Sequence, residues 1–134
     1  MFRITKEFHF SASHQLLHLP QDHQCHRLHG HNYIVVVELA SPTLNADGFV
    51  RDYHDLTPLK TYIDDCFDHR HLNDVLEMPT SEVMAKHFFD WCHARWPETT
   101  AVKVSETPKT WAEYRPRPCV SPKFSGRPFR AKAR

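Results

Sequence analysis

The chemistry in this sequence starts at His29-Gly30-His31. In an extended segment, residues i and i+2 point to the same face, about 6–7 Å apart along the strand. Two imidazoles so placed can both reach one metal ion. The glycine between them removes bulk from the opposite face and lets the backbone adapt. A catalytic zinc needs a third protein ligand and an open position. His9, His14, His18, His23 and His26 all lie upstream. Spacing does not choose among them, although His14 follows the first extended run, where a neighbouring strand could present it beside the pair. Histidine is 12 of the 134 residues, so composition also leans towards a metal site.

Three other places could carry chemistry. Cys25 lies four residues before His29. A thiol beside zinc or an imidazolium has a lowered pKa and can act as a base. It can equally be a metal ligand or a small buried hydrophobe. Asp68-His69 is an acid–imidazole pair in a loop, the kind that tunes a working histidine, though adjacent residues seldom bond side chain to side chain. Glu106 continues the alternation of Val102 and Val104, so it should point inward, where a carboxylate needs a partner. A cyclic guanidine edge, as in a pterin or guanine, offers two N–H groups to two carboxylate oxygens. An interface salt bridge would satisfy it too.

The elements that must position these groups follow from periodicity. Phe2, Ile4, Phe8 and Phe10 alternate as a strand, and residues 12–30 read as a loop. His31 to Leu39 is a second strand, apolar on both faces and therefore central. Asn45-Ala46-Asp47-Gly48 is turn chemistry, so Phe49 to Tyr53 is expected as a third strand in a hairpin with the second. From Asp55 the period becomes helical, through Leu56, Leu59, Ile63 and Phe67. A second helix opens at Pro79-Thr80-Ser81-Glu82, with Thr80 or Ser81 as its cap, and stops before Pro97. Ala101 to Glu106 and Trp111 to Tyr114 are expected strands. The order β-β-β-α-α-β-β argues an α+β domain with a mostly antiparallel sheet.

Charge and composition exclude several classes. The longest apolar stretch, around Ile34 to Val37, is too short to span a bilayer. Arg3, Lys6, Glu7 and His9 interrupt any apolar leader, and the four cysteines form no CxxC pair, so a cytoplasmic, reducing location is expected. Net charge is +1, yet seven basic residues and no acid lie between Arg115 and Arg134, leaving a balance of −6 for residues 1–114. That tail also holds four prolines. The expected organisation is one domain over residues 1–115 and a basic, proline-rich extension over 116–134 that the main function does not need. A nucleic-acid-binding or structural-zinc module using the tail is the non-enzymatic alternative; no nucleic acid partner is expected.

Five segments then occur in order: Phe10-Ser-Ala-Ser-His14, Cys25-His-Arg-Leu-His-Gly-His31, Asp68-His69-Arg-His-Leu72-Asn73, Pro79-Thr-Ser-Glu82 and Val104-Ser-Glu106. Together they resemble the 6-pyruvoyl-tetrahydropterin synthase superfamily over roughly residues 2–115. The short gap in Cys25-x-x-x-His29-Gly-His31 is most similar to its bacterial 6-carboxy-tetrahydropterin synthases. The resemblance implies the tunnelling fold: an antiparallel sheet with two helices on one face, the sheets of several subunits joined into barrels, usually as a homo-hexamer. It implies zinc on His14, His29 and His31, Cys25 as base, His69 with Asp68 as proton relay, and Glu106 as pterin anchor helped by Thr80 and Ser81. The implied substrate is 7,8-dihydroneopterin triphosphate, in 7-deazaguanine and queuosine biosynthesis. A pyruvoyl product, without side-chain cleavage, is the alternative.

Overall fold

A computed structural model describes residues 1–117. Most of the basic extension therefore lies outside the described residues. The chain forms a four-stranded antiparallel sheet in the order β1-β2-β3-β4, with β1 Phe2–His14, β2 His29–Ser41, β3 Thr99–Thr107 and β4 Thr110–Tyr114. Two helices, α1 Thr57–Cys66 and α2 Ser81–Arg95, follow β2 and return the chain to β3. The α+β class read from the sequence is the class observed.

Both helices pack on one face. Phe8 and Phe10 of β1, Tyr33, Val35, Val37 and Leu39 of β2, and Val102 and Val104 of β3 form one core with Leu59 and Ile63 of α1 and Met84 and Phe88 of α2. Phe10 stacks on Tyr33 at 4.8 Å between ring centroids and meets Phe67 and Phe88 edge-on. Each such aromatic pair adds about 0.5–1.5 kcal/mol beyond its buried area. Among the described residues the opposite face carries no helix. Glu38 sits there as a hub, bonded by Arg115 at 2.8 and 3.0 Å and by Thr100 at 2.7 Å, with Arg3 at 3.4 Å.

Two expectations are corrected. The segment 12–30 is not all loop: β1 runs on to His14 and β2 begins at His29, so that His14 and His29 are the closing rung of the pair. Ser11 and Ser13 take one face of this stretch, and Ala12 and His14, buried on the other, keep the strand going. Phe49–Tyr53 is not a strand. β2 is already flanked by β1 and β3, so it has no free edge to offer. Asn45 Oδ1 accepts the N–H groups of both Asp47 and Phe49, and Gly48 takes φ +83, closing a compact turn. At the second helix Thr80 is the cap: its hydroxyl accepts the Val83 N–H at 3.2 Å.

Candidate functional site

The ends of β1 and β2 bring three histidines together. His14, His29 and His31 each offer a ring nitrogen, and the three atoms lie within 4.8 Å of one another. All three are on the helix-covered face, as the i, i+2 rule requires for His29 and His31. His14 is fully buried against Tyr33, whose hydroxyl lies 3.3 Å from His14 Nδ1. Cys25 is not in this cluster.

Hydrogen bonds fix the tautomers of two of the three rings, His14 and His29. A carbonyl oxygen only accepts, so His14 Nδ1 donates to Pro79 O at 2.8 Å and His29 Nδ1 donates to Arg27 O at 2.6 Å. In its neutral form each ring then presents a bare Nε2 lone pair, and these two atoms face each other at 2.9 Å. Two acceptors at that distance repel unless a cation lies with them. A proton is the poorer candidate, because burial pushes the pKa values of His14 and His31 below the ordinary histidine value. Neutral imidazoles oriented by carbonyls are what a metal ligand set requires. The residues fit a divalent metal.

Glu106 arrives from β3 on the same side. Its carboxylate lies 3.7 Å from His31 Nε2 and is about one-third exposed. The inward position read from Val102 and Val104 holds in direction, but Glu106 sits at the rim rather than in the core. The β3–β4 register shifts between Val104 and Thr107, which opens the sheet there.

The start of α2 adjoins the trio, since Pro79, whose carbonyl orients His14, immediately precedes Thr80. Ser81 is buried, and its hydroxyl has no hydrogen-bond partner among the described residues. An unpaired buried hydroxyl is costly unless something binds it.

Asp68 and His69 lie on the other side of β1. His69 has φ +56, a left-handed conformation uncommon for a side-chain-bearing residue. That turn lets adjacent side chains meet: Asp68 Oδ1 accepts from His69 Nδ1 at 3.0 Å, contrary to the expectation for neighbours in sequence. Asp68 Oδ1 also accepts the Ser11 N–H at 3.0 Å, and this bond, then His69, holds its carboxyl below the usual range. The His69 ring itself is largely exposed.

Cys25 sits half-buried in a 3-10 turn, Gln24–His26, whose Cys25 carbonyl accepts the Leu16 N–H at 2.9 Å. No hydrogen bond links its thiol to His69 among the described residues.

Sequence reading missed the residues that hold the site in place. Tyr33, Pro79 and Arg27 act on the trio through a hydroxyl and two carbonyls. Asn73 clamps the chain beyond β1, its side-chain amide bonding the Gln15 N–H and C=O, both at 2.8 Å. Arg27, Asn73 and Pro79 carried a signal only as members of the segments that bear the resemblance.

A family model described as 6-pyruvoyl tetrahydropterin synthase matches residues 3–117. The chain is 38% identical over 122 residues to the 6-carboxy-5,6,7,8-tetrahydropterin synthase of Synechocystis, covering 85% of this chain and 93% of that one. It is 32% identical over 132 residues to the protein of the same name from Bacillus subtilis, covering 87% and 86%. Among solved structures it resembles the 6-pyruvoyl tetrahydropterin synthase of Caenorhabditis elegans, with a TM-score of 0.76 and 26% identity over 87% of this chain and 96% of that one.

Proposed function

Since this chain belongs to the 6-pyruvoyl tetrahydropterin synthase family, we propose that it converts 7,8-dihydroneopterin triphosphate and water to 6-carboxy-5,6,7,8-tetrahydropterin, acetaldehyde and triphosphate. The observation that carries this reading is the trio His14, His29 and His31, two of its rings oriented by backbone carbonyls, with a carboxylate, Glu106, beside the third. The relatives named for this activity favour the carboxy product. The Caenorhabditis structure keeps a pyruvoyl product as the second reading.

In this reading His14, His29 and His31 hold zinc, which supplies Lewis-acid polarisation of the side-chain hydroxyls when bound and makes the adjoining C–H and O–H bonds more acidic. Glu106 binds the 2-amino and N3–H edge of the pterin and orients the ring, with Thr80 and Ser81 lining the start of α2. Cys25 as thiolate takes a proton from the side chain. His69, steadied by Asp68, carries protons between positions on the substrate. Hydrogen moves within the substrate, so the ring is reduced without a nicotinamide. Three protein ligands leave room for substrate, whereas a structural zinc would be closed by a fourth. The proposal includes a cytoplasmic homo-hexamer serving 7-deazaguanine or queuosine synthesis.

The test is incubation of the purified protein with dihydroneopterin triphosphate and an assay for acetaldehyde. Acetaldehyde in step with triphosphate release supports the carboxy product. Triphosphate release without acetaldehyde gives the pyruvoyl product, and release of neither compound overturns the reading.

A further inference from the structure

The proposed substrate carries a triphosphate, and neither the imidazole trio nor Glu106 provides a place for it. A hollow of about 470 Å³ lies at the same strand ends, lined by Ser11, Ser13, Gly30, Asn32, Arg70 and His71, with His31 at its edge. Ser11, Ser13, Gly30 and Asn32 point away from the helices, so the hollow opens over the rim of the sheet from the trio. A neighbouring hollow of about 430 Å³ holds Glu106 and shares Gly30, His31 and Asn32 with it. Gly30 keeps that shared rim low. A Cβ there would come within 3.1 Å of the Ala12 carbonyl oxygen.

The first hollow is rich in donors. Ser11 Oγ donates to Asn32 Oδ1 at 2.7 Å, which uses the acceptor of that amide and leaves its N–H groups. Ser13 Oγ and His71 Nδ1 pair at 3.0 Å. No carboxylate lines the hollow. Arg70 is exposed, and its guanidinium has no ion pair or hydrogen bond among the described residues. Arg3, Arg51 and Arg115 each have a carboxylate. The Arg70 backbone is nevertheless anchored, since its carbonyl accepts the Ser13 N–H at 3.1 Å and its N–H donates to Phe67 O at 3.3 Å. On its other side Arg70 borders a hollow with Asp65 and Asp74, which would repel an anion. A planar, permanently charged fork is the side chain best matched to phosphate oxygens.

We propose that this hollow is a polyphosphate subsite and that Arg70 recognises the substrate's triphosphate; the assignment rests on the pterin-triphosphate reading above. A substrate laid along the two hollows has its ring at Glu106, its side chain at the trio and its phosphates at Arg70.

The experiment uses inorganic tripolyphosphate and neopterin as separate probes, by calorimetry, on the full metal-loaded chain, Arg70→Ala, Arg70→Lys and Lys86→Ala. Arg70→Ala should weaken tripolyphosphate binding roughly 10- to 100-fold, the scale of losing one hydrogen-bonded charged contact, with neopterin affinity unchanged. Its salt dependence should flatten, because one fewer charge pair is screened. In turnover, KM for dihydroneopterin triphosphate should rise by a similar factor with kcat little changed. Arg70→Lys should recover part of the loss, and Lys86→Ala, whose ammonium pairs with Asp90 on α2 and lies outside the hollow, should bind tripolyphosphate as the wild type does. Equal tripolyphosphate affinity in wild type and Arg70→Ala overturns the subsite and means that the anion binds elsewhere, at the metal included. A loss confined to kcat overturns it too. If the wild type binds tripolyphosphate through Arg70 but no pterin, the functional reading fails and the anion site stands.

Discussion

The two faces of one sheet do different work here. On the covered face, side chains from β1, β2 and β3 meet the helices in an apolar core that ends in the imidazole trio. On the open face the same strands present Arg3, Glu38, Lys103 and Arg115 as a charged lattice. Burial on the covered face costs any charge and pushes His14 and His31 below the ordinary histidine value, while backbone carbonyls fix the rings of His14 and His29. On the open face water screens the pairs, and each is worth little. Chemistry that needs rigid, neutral donors belongs to the first face, and recognition of an anion suits the second.

The largest effect should come from breaking the trio. His29→Ala removes one of two facing Nε2 atoms, and metal analysis should show near-complete loss of bound metal and of turnover. His18→Ala and His23→Ala, outside the trio, should keep the metal. Retention by His29→Ala would mean that the covered face is not a metal site.

Cys25 tests whether the neighbouring turn serves chemistry or the metal. Cys25→Ala should keep metal and pterin binding but lose about 10²- to 10⁴-fold in kcat, the range for an acid–base group. His69→Ala should lose less. Metal loss in Cys25→Ala would make the thiol a ligand and remove the proposed base.

Glu106 stands where the faces meet at the rim. Glu106→Gln keeps the size, removes the charge and turns an N–H₂ towards a ring donor. Pterin binding should weaken by about 2–4 kcal/mol, the range for a charge-assisted contact left unpaired, with metal content unchanged. Equal affinity in a pterin titration would show that this end of β3 does not bind the ring.

How much of this was legible depended on whether the signal was periodic. The alternation in β1, β2 and β3 and the helical spacing in α1 and α2 are imposed by a buried face, so they appear in sequence. Phe49–Tyr53 looked like a strand because an aromatic and a β-branched residue follow a turn; what decided otherwise was that both edges of β2 were taken, a tertiary fact. The pair His29 and His31 was legible from i, i+2 geometry, but His14 was chosen among five upstream histidines only through the resemblance. The carbonyls of Pro79 and Arg27 leave no side-chain signal at all. Nor did any pattern announce the left-handed turn at His69, on which its bond to Asp68 depends.

The smallest effect belongs to the open face. Glu38 is held below the ordinary carboxylate range, first by the Arg115 hydrogen bonds and then by Thr100 and the charges of Arg115 and Arg3, against a burial cost. A carboxylate whose folded pKa is depressed contributes stability above its unfolded pKa and loses it as pH falls through the folded value. Its unfolded pKa lies near the ordinary 4.5, so the contribution should be constant from neutral pH down to about 5.5 and disappear in stronger acid. Glu38→Gln should therefore cost about 1 kcal/mol at neutral pH, the upper end for exposed pairs, and high salt should shrink the cost. Urea unfolding of wild type and Glu38→Gln at a series of pH values checks this: the gap should close in acid and leave turnover at neutral pH unchanged. A gap that persists in acid would mean that Glu38 acts by packing rather than charge, and the open face would then share the logic of the covered one.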